Sequence, residues 1–306
     1  MKLYNQFVVN PDSFRNSNYY ISPFSTEWIS LNNEILQSDK KNNENVFSHL
    51  FGKHIFCESG REALYKALLC YRLEPQDEVL ILTTSGNKYI SSCVTGEIEK
   101  FCQWSRTQTD RTKLVLVVHE FGAVYPAMEE VLKLNLPIIE DMAMSLLSTD
   151  DFGQTGNYGD FTIYSLSKFF PVQFGGVLRM NKDQIYKEES QEIADYLRKI
   201  LHYHIDHLSD IKKSRKKNYL LFEKELKPLG LKSRFLYTEK ETPSVYMFSA
   251  PENFDLTGLK IFMQKNGVES SVFYGENAFF VPVHQHLKQE DILFITSLIK
   301  YYHDFQ

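Results

Sequence analysis

Residues 156–180 read GNYGDFTIYSLSKFFPVQFGGVLRM, and the order of features along this stretch decides the fold. Asp160–Ser165 (DFTIYS) and Gly176–Met180 (GVLRM) are apolar runs without strict alternation, the pattern of strands buried on both faces of a mostly parallel sheet. Between them stands Lys168, in the string Ser165-Leu166-Ser167-Lys168, crowded by Phe161, Tyr164, Phe169, Phe170 and Phe174. Desolvation among such neighbours disfavours an ammonium, which is what an imine-forming lysine requires. Gly175-Gly176 lets a backbone approach closely at the start of the second run. Working outward, VLILT (Val79–Thr83), KLVLVVH (Lys113–His119) and LPIIED (Leu136–Asp141) are further buried-strand runs. Helix candidates lie at Ser59–Tyr71, Asn87–Phe101 and Tyr125–Leu134. Strand–helix–strand alternation predicts an α/β fold of βαβ units with right-handed crossovers.

The rest of the chain frames this unit. At 306 residues, length alone suggests about two domains. Hydrophobic content of 43 % with 24 % charge excludes disordered and collagen-like classes, and 14 % aromatics supply a sizeable core. A net charge of −5 leaves no global footprint for nucleic acid. Four scattered cysteines without a CxxC pair read as buried free thiols in a reducing compartment. The N-terminal MKLYNQFVVNPDSF lacks the apolar core of a signal peptide, and no run approaches the roughly 20 residues of a membrane span, so a cytoplasmic location is expected.

Residues 1–50 are polar and turn-rich and read as an N-terminal arm. Residues 51–230 read as the large domain, ending in a charged helical segment from Lys182 to Leu229. Its basic cluster KKSRKK (Lys212–Lys217) reads as a solvated helix face. Residues 231–306 read as a small α+β domain. It has strands near Val245–Ala250, Val268–Tyr274 and Ala278–Pro282, a helix Leu256–Asn266 stopped by Gly267, and a last helix Lys288–Tyr302.

Four features carry chemistry. Cys57-Glu58-Ser59-Gly60-Arg61 opens an amphipathic helix, and free N–H groups there form a ready anion site, although the motif taken alone reads first as a plain Ser59 N-cap. Asp141 ends a parallel strand on the side where open α/β sheets bind ligands, although a turn-forming aspartate fits as well. Ser165 and Lys168 follow the next strand; an SxxK string also occurs in serine acyl-transferases, but the KTG and SDN partners are absent. Gly175-Gly176 completes the set. Together these supply what pyridoxal phosphate needs: a phosphate cradle, a carboxylate for the ring nitrogen and a lysine for the aldehyde. His202, His204 and His207 lack the spacing of a metal site and read as structural or surface residues. His284 and His286 either line a substrate cleft or cap the last helix.

On these residues the chain resembles the DegT/DnrJ/StrS sugar aminotransferases, which are fold-type-I pyridoxal phosphate enzymes. The matching stretches are SGREALYKALL, DEVLIL, VVHEFGAVYPAMEEV, LPIIEDMAMS, residues 156–180 and FVPVHQHLKQEDILFITSLI, in family order. The resemblance implies a large cofactor domain with a mostly parallel sheet and a small C-terminal α+β domain. It assigns Lys168 to the Schiff base and proton shuttle, and Asp141 to the pyridinium nitrogen. Ser59, Gly60, Arg61 and Ser165 would hold the phosphate. Tyr89 is the candidate for stacking on the ring, and His119 and His284 are candidate substrate residues. The implied reaction is ping-pong transfer of an amino group from an amino acid, glutamate by analogy, to a keto sugar, nucleotide-linked in the family, in amino-sugar or surface-polysaccharide biosynthesis. A homodimer is implied as well. Two departures stand out: Met144 replaces the family's Gln or His, and residues 182–190 (KDQIYKEES) lack the Gly-Tyr-Asn-like loop signature. They keep open a lyase or dehydratase on the same scaffold, although that branch replaces the lysine with histidine, and a degenerate homologue with a regulatory or scaffolding role.

Overall fold

The computed structural model describes residues 18–38, 44–182 and 186–305. Seven strands form the main sheet: β1 (His54–Cys57), β2 (Glu78–Thr83), β3 (Gln103–Ser105), β4 (Thr112–Val118), β5 (Ile138–Asp141), β6 (Phe161–Ser165) and β7 (Gly176–Met180). Their order is β1-β7-β6-β5-β4-β2-β3, and only β7 runs against its neighbours. The sheet is therefore mostly parallel, and Val79, Ile81, Val115 and Val117 are buried, as doubly covered strands require. The strands β1 and β3 are too short to show a periodicity of their own.

The helices preceding and covering this sheet are α1 (Glu27–Gln37), α2 (Glu44–Phe51), α3 (Gly60–Leu69), α4 (Ser92–Ile98) and α5 (Met128–Leu132). Two of them are shorter than the sequence suggests. The Asn87 side chain accepts the Tyr89 N–H at 3.0 Å and donates to the Tyr274 carbonyl at 2.7 Å, so residues 87–91 form a tied turn and α4 starts only after Ser91. Pro126 similarly precedes the delayed start of α5. No helix joins β5 to β6, which departs from strict βαβ alternation. Glu140 replaces it, its carboxylate accepting the N–H groups of Gly156, Tyr158 and Gly159, each at 2.8 Å.

Two helices follow the sheet, α6 (Gln191–Ile205) and α7 (Leu208–Leu226). A second, antiparallel sheet has the order β10-β11-β9-β8, formed by β8 (Lys232–Ser233), β9 (Val245–Ser249), β10 (Ser271–Phe273) and β11 (Ala278–Pro282). It is covered by α8 (Leu256–Lys265), closed by Gly267 at φ +79°, and by α9 (Gln289–Asp304). Tyr219, Phe222 and Leu226 of α7 pack into this second core with Tyr246, Phe248 and Ile295, while Ile211 packs with Phe169 and Leu197 beside the main sheet. The helix read as part of the large unit thus spans both cores. Part of the segment read as an arm is also core: Phe47 and Phe51 are buried against Phe56, Tyr164 and Phe170. The expectation for residues 1–17 lies outside the described residues. Burial of the cysteines holds for Cys57 and Cys102, whereas Cys93 is exposed; all four are free.

His204 tests how the first helices are seated. It is buried, its Nε2 has no hydrogen-bond partner, and its ring lies 5.6 Å from that of Trp28 on α1. Burial, followed by the neighbouring charges of His286 and His207, pushes it down to about 4. A folded-state value below the unfolded one contributes stability above the unfolded pKa that is lost as pH falls towards the folded one. Between pH 7.5 and 4.5 the chain should lose roughly 2–3 kcal/mol more stability than a His204→Phe variant. Asp141 titrates with the opposite sign over part of this range, so the comparison is of slopes in urea unfolding of the two chains. Equal slopes would remove His204 as an acid-labile element.

Candidate cofactor site

A cavity of about 670 Å³ opens at the carboxyl ends of β4, β5 and β6 and is closed on its far side by β10 and β11. Its construction starts from two glycines. A Cβ on Gly176 would stand 2.3 Å from the carbonyl carbon and oxygen of Ser59, so β7 begins directly against the start of α3. Gly175, at φ +120°, makes the turn that brings it there. The Ser59 side chain accepts the Glu62 N–H at 3.1 Å and is an N-cap. The next N–H groups, of Gly60 and Arg61, have no acceptor within their own helix. They lie at the positive end of the helix, at the wall of the cavity. Ser165, at the end of β6, lies across from them; a Cβ on Gly60 would be 3.3 Å from its own.

Asp141 ends β5 and lines the same cavity. Its carboxylate accepts the Ala143 N–H at 2.8 Å and has no ion-pair partner among the described residues. Burial pushes it up to about 6, against the hydrogen bond from Ala143 and the charge of His119. An unpaired buried carboxylate facing a cavity is poised to take a cationic N–H group. Strand alternation sends its neighbour Glu140 to the opposite face, where it holds the 156–159 turn.

Lys168 sits on the short 3₁₀ turn Leu166–Lys168 and also lines the cavity. Tyr89 is half-exposed at the rim, its ring 5.4 Å from that of Tyr274. The residues Ser59, Gly60, Arg61, Asp141, Ser165, Lys168, Tyr89 and His119 therefore share one cavity. His119 has a restricted part in it. Its Nδ1 accepts the Tyr125 N–H at 2.9 Å, which puts the proton on Nε2, facing Glu140 at 3.3 Å. With both nitrogens engaged, only its ring edge or face is offered to a ligand.

His284 corrects an expectation: it does not line the cavity. The chain after β11 turns inward, and Asn218 of α7 donates to the His284 carbonyl at 3.0 Å, which leaves the imidazole buried. Among the polar cavity residues that the sequence did not reveal are Glu120 and Cys93. The Glu120 carboxylate accepts the Ser85 N–H at 2.6 Å. Arg61 donates to the Cys93 sulfur at 3.0 Å. Burial opposes ionisation of that thiol, but the hydrogen bonds from Arg61 and Ser91 and the charges of Arg61 and Lys168 bring it below its ordinary value. Met144 lines the wall with a thioether that donates no hydrogen bond. Among the described residues no group of three or more His, Cys, Asp or Glu side chains could hold a metal. The cradle, the unpaired carboxylate and the lysine together fit pyridoxal phosphate.

Comparison with known proteins agrees with the fold. The sequence model of the DegT/DnrJ/EryC1/StrS aminotransferase family matches residues 105–191. GDP-perosamine synthase of Caulobacter vibrioides is 27 % identical over 190 residues, covering 55 % of this chain and 49 % of that protein. The chain thus matches about half the length of this curated relative. A putative sugar aminotransferase of Streptococcus pneumoniae superposes with a TM-score of 0.75 at 16 % identity, over 95 % of this chain and 98 % of the other. The aminotransferase TlmJ of Streptoalloteichus hindustanus gives a TM-score of 0.74 at 15 % identity, over 94 % and 99 %.

Proposed function

We propose that this chain, a relative of the DegT/DnrJ/EryC1/StrS aminotransferases, is a pyridoxal phosphate-dependent aminotransferase that moves an amino group from an amino acid to a keto sugar. The observation that carries this is the convergence of Lys168, Asp141 and the glycine-seated start of α3 on one cavity. When bound there, pyridoxal phosphate would supply an aldehyde for covalent attachment to the Lys168 amine and an electron-withdrawing ring. Asp141 keeps the ring nitrogen protonated, because the buried pair of opposite charges favours both ionised forms. The N–H groups of Gly60 and Arg61, with the Arg61 guanidinium and the Ser165 hydroxyl, bind the phosphate. The Lys168 amine would take and return the proton at the reacting carbon. Tyr89, at the rim of the cavity, would be the aromatic residue available to stack on the cofactor. His119 serves as a shaped wall beside Asp141, since neither of its nitrogens is free.

GDP-perosamine synthase among the relatives supports a nucleotide-linked keto sugar as acceptor and an amino-sugar pathway as setting. Glutamate is the proposed donor, and a homodimer in the cytoplasm the proposed state. Among the described residues no helix is long and apolar enough to cross a membrane. A second reading is favoured by Met144, which offers no hydrogen bond at the cavity wall: a chain that holds the cofactor without turnover. One experiment separates the two. Purified protein supplied with pyridoxal phosphate should turn yellow, and glutamate should bleach the colour while 2-oxoglutarate accumulates. Colour that no amino acid discharges favours the second reading. A chain that stays colourless with excess cofactor refutes both.

A further inference from the structure

The turn that carries Lys168 is held in an unusual way. Four backbone carbonyls in this turn and the residues just after it each accept a hydrogen bond from a side chain on a different part of the fold. Ser22 donates to Ser167 at 2.7 Å, Arg215 to Lys168 at 2.9 Å, Gln285 to Phe169 at 2.8 Å and Asn32 to Pro171 at 3.0 Å. Two of these donors are joined to one another, because Arg215 Nε also donates to Gln285 Oε1 at 2.9 Å.

Arg215 is the more telling of the pair. It is fully buried on α7, yet no carboxylate lies within ion-pairing distance among the described residues. Its guanidinium lies over the Phe169 ring, 4.8 Å from the centroid, and its remaining donors face the carbonyls of Pro243 and Ser244 at 3.4 and 3.5 Å. Burial alone pushes it down to about 9. A buried cation without a counter-charge is costly, and an apolar side chain of the same volume would fill that space at less cost. What the guanidinium adds is geometry: a rigid planar fork that reaches the lysine turn, the segment after β11 and the segment before β9 at once.

We infer that Arg215 and Gln285 form a bracket across the Lys168–Phe169 peptide that sets the position of the lysine and makes its seating depend on docking of the second sheet. The inference rests on the proposed cofactor chemistry and assigns positioning roles, since neither side chain lines the cavity. Gln285 belongs to the unit built on the antiparallel sheet, while Lys168 follows a strand of the main sheet. The bracket is thus the polar contact through which one unit fixes the reactive residue of the other.

The test uses the full chain and two variants. Gln285→Glu replaces the donor to the Phe169 carbonyl by an acceptor while giving Arg215 a carboxylate partner, which keeps the fold. Arg215→Met removes the fork with little change in volume. Pyridoxal phosphate is added, the C=N bond to lysine is reduced with borohydride, and the fraction modified at Lys168 is read by peptide mass spectrometry; unfolding is measured in parallel. At limiting cofactor, attachment to Lys168 in Gln285→Glu should fall about tenfold while its unfolding midpoint stays near that of the unsubstituted chain, the loss expected for one buried hydrogen bond at the reactive turn. Arg215→Met should fall at least as far. Attachment within twofold of the unsubstituted level in a folded Gln285→Glu overturns the bracket. Absence of attachment in the unsubstituted chain overturns the functional proposal, and the bracket with it.

Discussion

Lys168→Ala is expected to fold normally and to lose covalent cofactor attachment completely. The fold is spared because the turn is held through its carbonyls, which the substitution leaves in place: the donors on Ser22, Arg215, Gln285 and Asn32 need no lysine side chain. Attachment is lost because Lys168 is the only lysine lining the cavity among the described residues. The yellow colour and the borohydride-trapped peptide should both vanish, while binding of the phosphate end persists at reduced affinity through the start of α3. Transfer of the amino group should fall to background, since the same amine is the proposed proton carrier. Asp141→Asn gives the contrasting signature. That variant should still trap cofactor on Lys168 but lose roughly 10²-fold or more in turnover, because a neutral amide no longer holds the ring nitrogen protonated. Residual colour on another lysine after Lys168→Ala, or near-normal turnover after Asp141→Asn, would overturn the assigned roles.

The two assignments differ in how far the sequence disclosed them. Asp141 and Lys168 were legible because one ends an apolar run that is a strand and the other stands on the short turn just past such a run. Gly176 was legible as a close approach, though not what approaches it; the partner, Ser59, is more than a hundred residues away in the chain. The bracket was hidden for a physical reason. KKSRKK contains five cations in six residues, and composition cannot say which of them faces inward. Helical geometry decides it: Ile211, Arg215, Asn218, Tyr219 and Phe222 recur at the spacing of one face, and the buried side is defined by the apolar members, with Arg215 carried among them. The same holds for Gln285, which stands between two histidines conspicuous in the sequence and makes the contact that neither of them makes. For His284 the sequence leaves two readings open, lining a substrate cleft or capping the last helix. Its position is instead set by Asn218, a partner no local pattern reveals.

Gly176→Ala should be more damaging than addition of one methyl group elsewhere would suggest, because the added atom meets backbone rather than side chain. Its Cβ would lie 2.3 Å from the Ser59 carbonyl and 2.6 Å from the Gly60 nitrogen, and neither atom can turn aside as a side chain could. The start of α3 must then move away from β7, which costs on the order of 1–3 kcal/mol in stability. The larger effect falls on the cofactor. The displaced groups are the N–H donors proposed for the phosphate, and hydrogen bonds to an anion lose strength steeply with distance and angle. Affinity for pyridoxal phosphate should drop by about 10²-fold, read by titration of the colour, with Lys168 still competent when cofactor is in large excess. Gly153→Ala is the control. That glycine lies at φ +68° with nothing within 4 Å of where a Cβ would stand, so the variant carries backbone strain without displacing anything. It should cost about 1 kcal/mol in stability and leave cofactor affinity unchanged. Equal losses of affinity in the two variants would mean that general destabilisation, and not displacement of the helix start, governs cofactor binding. A loss confined to Gly176→Ala ties the phosphate to the seam between β7 and α3.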